Sequence, residues 1–132
     1  MNTWIQFISA NIKWIMLSAG LLTCSMIFAV FAPETVLISM FGEALTQPLA
    51  QVIVRSWGFL IFLVGALLVY GAFKPECRQL ALVISSLSKA AFISLIVIYG
   101  PQYIDKSMFT IILDSIFIIV FVAYLAKANS VN

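Results

Sequence analysis

Histidine is absent from this 132-residue chain, and with it go imidazole proton relays, haem held by histidine pairs and histidine-bound zinc or iron. Cysteine is nearly absent. Cys24 lies inside an apolar run and Cys77 in a polar link, at different depths and without Cys-x-x-Cys spacing, so two free thiols are expected and no thiol-disulfide relay. Charge is scarce too: 9% of the residues are charged, against about 25% in an ordinary soluble domain. The net charge of +2 is spread along the chain with no basic patch, which excludes a nucleic-acid partner. No glycine-rich phosphate loop, nucleophile elbow or clustered base accompanies the serines. These absences leave no catalytic residue, no metal ligands and no cofactor, and the chain reads as a non-enzyme.

What is present is apolar. Hydrophobic residues make up 64% of the chain and the mean hydropathy is +1.15. A hydrocarbon core about 30 Å thick takes roughly 20 apolar residues per helix, and runs at residues 12–31, 51–73, 80–100 and 108–127 meet that length. Strict two-residue alternation is missing, so each run must satisfy its backbone internally as a helix. Short links between them give an all-α fold: an integral membrane four-helix antiparallel bundle, read as one domain over residues 1–132. A cleaved signal peptide is the competing reading of the first run, since Ser25, Ala29 and Ala32 resemble a cleavage site. That run exceeds the roughly 7 to 15 residues of a signal core, and it is kept as a span.

The positions of lysine and arginine orient the bundle. Lys13 precedes the first run, Lys74 and Arg78 fill the link after the second, and Lys127 ends the fourth, whereas residues 32–50 carry only Glu34 and Glu43. Both termini are therefore expected in the cytoplasm, with the protein in the inner (plasma) membrane. Residues 34–47 repeat Val36, Met40, Phe41, Ala44 and Leu45 at helical spacing, which predicts a short helix lying on the outer interface and closed by Pro48. Trp4, Ile5, Ile8 and Ile12 predict a second interfacial segment leading into the first span. Gly20, Ser25 and Ala29 on the first span, with Gly58, Gly65 and Gly71 on the second, mark places of close helix approach.

Two charges interrupt the apolar runs. Lys89 lies eleven residues from Gly100, near the bilayer midplane, and Asp114 six residues inside Met108. At about 1.5 Å per residue their heights differ by about 7.5 Å, which a lysine stem spans largely by itself. A charge at a helix centre costs about 2.5–3.5 kcal/mol on insertion scales, so Lys89 is expected to point into the bundle and pair with Asp114, beside a polar patch of Ser85, Ser86 and Ser88. Arg55 stands on the outer side, where the positive-inside bias would not place it, and is read either as joining Glu43, Asp114 and Lys89 in a neutral cluster or as reaching the outer headgroups. The Lys89–Asp114 pair is read as a clamp that fixes helix register or as part of a ligand or ion cavity, the remaining case being a lysine that faces another protomer or snorkels to the interface.

Arg55, Ser56, Trp57 and Gly58, then Gly65, then Lys74-Pro-Glu-Cys followed by Arg78, then Ser88, Lys89, Ala90, Ala91 and Phe92 resemble the small bacterial four-helix membrane proteins of the DoxX-like and DUF4345-like kind, over roughly residues 51–100. The resemblance implies a four-helix bundle and supplies no catalytic residues; some distant relatives are similar to small-ligand-binding or receptor-chaperone membrane proteins. Two functions are expected to compete. In one, an outward-facing pocket ringed by Arg55, Lys89, Asp114, Glu43, Ser85 and Ser86 binds a small amphipathic or lipid-like ligand or passes an ion. In the other, the chain is a non-catalytic accessory or chaperone subunit on a larger membrane partner. Membrane lipid is the partner common to both, and a homo-oligomer is left open. A small multidrug exporter is excluded, because its first span would hold a buried acidic residue and this one holds none.

Overall fold

The computed structural model describes the backbone of residues 3–131 and the side chains of residues 3–127; the side chains of the polar tail lie outside the described residues. Regular structure is entirely helical among the described residues. Helix α1 runs from Thr3 to Phe31 with one tighter 3-10 turn at Ser25–Ile27, and α2 is Pro33–Phe41. Pro48–Phe73 forms α3, Arg78–Tyr99 forms α4 and Ile104–Val131 forms α5. Helices α1, α3, α4 and α5 are long and apolar enough to cross a bilayer, and they mark the chain as a multi-pass membrane protein.

Several element ends differ from the hydropathy reading, for identifiable reasons. The segment around Trp4 and Ile8 is no separate interfacial piece: it is the first two turns of α1, because Ile8 and Ile12 continue the buried stripe Met16, Ala19 and Thr23. Helix α2 stops at Phe41 rather than continuing to residue 47. Gly42 adopts φ +79°, the left-handed conformation that ends helices, and its amide donates to the Ile38 carbonyl at 2.9 Å. Pro48 opens α3 instead of closing α2. Indeed all four prolines stand at the first position of a helical element, where the missing N–H costs nothing.

A proline start leaves an acceptor behind on the helix before it. Pro75 has no amide to offer the Gly71 carbonyl four residues earlier. Arg78 fills the gap: its Nε donates to the Gly71 carbonyl at 3.2 Å and its second guanidinium nitrogen to the Ala72 carbonyl at 2.8 Å. A cation at a helix C-terminus is also favoured by the helix dipole. Replacing Arg78 by Ala should therefore lower stability by about 1.5–3 kcal/mol, the range for hydrogen bonds from a charged donor. Arg78→Lys, with one point charge for two carbonyls, should recover only part of that loss in an unfolding titration.

Helix α1 packs chiefly on α3, α3 on α4 and α4 on α5, and α5 closes the ring on α1 through the lightest contact of the four. Glycine lets α1 and α3 approach backbone to backbone: a Cβ on Gly65 would sit 2.6 Å from the Cys24 amide nitrogen and 2.8 Å from the Gly20 carbonyl oxygen. Gly58 meets Ala29 in the same seam. Ser25, expected there as well, is exposed.

The two halves of the bundle are built differently. In the half that carries both termini, Met16, Leu68, Leu82 and Phe121 are fully buried and form a closed core with Ile8, Ile12, Ala19, Ala72 and Ala81. Lys127 Nζ donates to the Ser9 hydroxyl at 3.0 Å and ties α5 to α1 at that end. The opposite half is capped by α2. Phe41 lies among Trp57, Phe92 and Tyr103 at centroid distances of 6.3, 6.4 and 5.8 Å, and buried Ser107 donates to the Met40 carbonyl at 2.9 Å. These contacts hold α2 across the bundle mouth.

Candidate functional site

Lys89 faces inward because it belongs to the buried stripe of α4, Ala81, Leu82, Ser85, Lys89 and Ile96, whose spacing of three, four and seven residues keeps one helix face. Asp114 occupies the matching stripe of α5, Ser107, Thr110, Asp114, Phe117 and Phe121. Lys89 Nζ donates to Asp114 Oδ1 at 2.8 Å, with side-chain exposures of only 9% and 15%. The ammonium also reaches the Thr23 hydroxyl oxygen at 3.4 Å and stands 5.8 Å from the centre of the Phe117 ring. Thr23 in turn donates to the Ala19 carbonyl at 2.7 Å. Three helices thus converge on one buried cation.

This cluster is the floor of a cavity of about 490 Å³ in the α2-capped half of the bundle. Ile61 and Val64 of α3, Ser88 and Phe92 of α4, and Thr110 and Leu113 of α5 wall it, and Val36, Ser39 and Met40 of α2 roof it. On the α1 and α5 sides the lining residues Leu22, Ser25, Phe28 and Phe109 are exposed, while those contributed by α3 and α4 are buried or half-buried. The cavity therefore opens sideways between α1 and α5, where these helices are held together only lower down.

Arg55, Glu43, Ser85 and Ser86 are not part of this arrangement, and the four-charge cluster does not form. The Arg55 guanidinium donates to the Val30 carbonyl in the last turn of α1, one of the terminal acceptors without an intrahelical donor. It does for α1 what Arg78 does for α3. Glu43 is exposed and accepts from the Tyr103 hydroxyl at 3.2 Å, fastening the cap to the α4–α5 turn. The Ser85 and Ser86 hydroxyls are buried, have no partner among the described residues, and do not line the cavity. Lys89 and Asp114 form the only ion pair among the described residues.

Two contributors went unrecognised in the sequence. Thr23 was legible in principle, since it extends the stripe Ile8, Ile12, Met16, Ala19 once α1 is read from its true start. Thr110 shares the stripe of Asp114. Thr35, Ser39, Ser88 and Thr110 all line the cavity, and their hydroxyls have no hydrogen-bond partner among the described residues. No group of three or more histidine, cysteine, aspartate or glutamate side chains among the described residues could hold a metal. The site offers one neutralised ion pair, several free hydroxyls and an apolar wall, a set suited to binding. No family model, curated protein or solved structure matches the chain.

Proposed function

We propose that this chain is a non-catalytic membrane protein that takes a small amphipathic or lipid-like molecule from the surrounding leaflet into the α2-capped cavity. The observation that carries this reading is the cavity itself: about 490 Å³, within the range of about 300–1,000 Å³ typical of ligand pockets, mostly apolar in its lining, charged at its floor and open between α1 and α5, the side that would meet lipid. Ion passage is the poorer reading, because the fully buried Met16, Leu68, Leu82 and Phe121 close the bundle beneath Lys89. An accessory-subunit role is disfavoured as well. The small residues Gly20, Gly58 and Gly65, which would let a partner helix approach, are used up within the chain by the α1–α3 seam.

Lys13, Lys74, Arg78 and Lys127 share the end that carries the termini: Lys13 Nζ lies 5.0 Å from the Phe73 ring centre, and Arg78 and Lys127 bond as described. This charge placement supports termini in the cytoplasm, a cavity in the outer leaflet and residence in the inner (plasma) membrane. Kinship with the DoxX-like and DUF4345-like kind is part of the proposal. The residues that carry the resemblance have structural work here, Arg55 and Arg78 at helix ends, Gly65 in the seam and Lys89 at the cavity floor.

Trp57 lines the cavity, whereas Trp4 and Trp14 sit on α1 toward the other end. In a Trp4→Phe/Trp14→Phe background, a brominated single-chain alcohol added to nanodiscs should quench Trp57 fluorescence saturably. Ser88→Phe, which fills space above the floor, should abolish the saturable part. Quenching that rises linearly with bulk partitioning and ignores Ser88→Phe would refute the pocket.

A further inference from the structure

The chemistry of the cavity floor narrows what head a ligand can carry, an inference that rests on the binding role just proposed. Lys89 and Asp114 cancel, so the floor is neutral while being largely withdrawn from solvent. An anionic head would bring a second negative charge up to the Asp114 carboxylate, and a cationic head a second positive charge up to the Lys89 ammonium. Either would enter low dielectric without a free counter-charge, which is the expensive way to bury an ion.

The hydrogen-bonding capacity left over points the same way. Asp114 uses Oδ1 for the lysine, and its Oδ2 has no partner among the described residues. The ammonium has three hydrogens, of which Asp114 and Thr23 take two. One acceptor and one donor thus remain on the pair, and Ser88 and Thr110, whose hydroxyls have no partner among the described residues, line the same cavity. A hydroxyl is the small uncharged group that gives one hydrogen and accepts another. We propose that the cavity selects an uncharged lipid with a hydroxyl head, which donates to Asp114 Oδ2 and accepts from Lys89 while its chain leaves between α1 and α5, and that it turns away anionic and cationic heads of equal chain length.

The test uses the full chain in nanodiscs with Trp57 as the sole tryptophan and three brominated probes of one chain length: a primary alcohol, an alkyl sulfonate and an alkylammonium. The alcohol should bind about tenfold more tightly than either ion, the scale of one hydrogen bond to a charged group. Equal binding of all three, or tighter binding of either ion, overturns the head-group inference and leaves the pocket standing. Absence of saturable quenching by every probe overturns the pocket and the inference with it. Charge variants supply a second reading. Asp114→Asn, which leaves the floor positive, should turn the preference to the sulfonate, and Lys89→Met, which leaves it negative, should turn it to the alkylammonium. Either variant folding suffices, since a folded variant that keeps the alcohol preference unchanged also overturns the inference.

Discussion

Replacing Asp114 by Leu, or Lys89 by Met, should each lower the stability of the bundle by about 3–5 kcal/mol, whereas the double replacement should cost close to nothing. The reason is the geometry of the pair. At 2.8 Å and with exposures of 9% and 15%, each charge has exchanged its water for the other. Removing one strands the second in low dielectric with only Thr23 at 3.4 Å and the Phe117 ring as company on the lysine side. Removing both takes away the attraction and the desolvation cost together. A double-mutant cycle read by unfolding in nanodiscs isolates the coupling; losses that simply add would show that the pair is not joined as placed. The same double variant separates the two roles that the sequence left open for this pair. If the charges serve only as a clamp, Lys89→Met/Asp114→Leu should bind the alcohol probe as the native chain does. If they are the cavity floor, the protein should be as stable as before and bind the probe far more weakly.

How much of this could be read from the chain depended on which physical signal fixed each feature. Span number came from hydropathy, because the bilayer sets a length and the residues must match it. The Lys89–Asp114 pair came from the cost of an isolated charge combined with the rise per residue, and the structure places both on inward stripes. Helix ends were harder. Hydrophobic windows blur them, whereas proline and glycine mark them sharply: Pro48 begins α3, and Gly42 ends α2 through its left-handed backbone.

For Arg55 the sequence offers acidic side chains or outer headgroups as partners, and for Arg78 it offers only a place in a positively charged link. Their actual acceptors are the carbonyls of Val30, Gly71 and Ala72 at helix C-termini, and a backbone carbonyl has no side-chain signature. Its one trace here is Pro75, which withholds a donor from Gly71 four residues earlier; Val30 and Ala72 have no proline at that spacing. Ser85 and Ser86 were misplaced for a related reason. Their spacing from Lys89 puts them on its face, but one turn toward the closed core, and periodicity cannot tell which half of a span is packed and which is hollow. That division depends on how α1 and α5 diverge, a tertiary property.

Gly65→Leu should be the most damaging apolar substitution in the bundle. Even the first added carbon would meet the Cys24 amide nitrogen at 2.6 Å and the Gly20 carbonyl oxygen at 2.8 Å, both backbone atoms of α1 that no rotamer change can move. Overpacking of this kind costs about 1–3 kcal/mol for a small increment, the range expected for Gly65→Ala, and leucine adds three further carbons to a seam with no room for one. Helix α1 would have to withdraw from α3 along its length. That movement carries Thr23 away from Lys89 and widens the opening beside Leu22 and Phe28, so saturable binding at Trp57 should be lost with the stability. Leu60→Phe on the outward face of the same helix, where the side chain is 59% exposed, should change neither. If the two variants proved equally stable, α1 and α3 would not meet at Gly65, and the position of α1 that brings Thr23 to Lys89 would have to be drawn elsewhere.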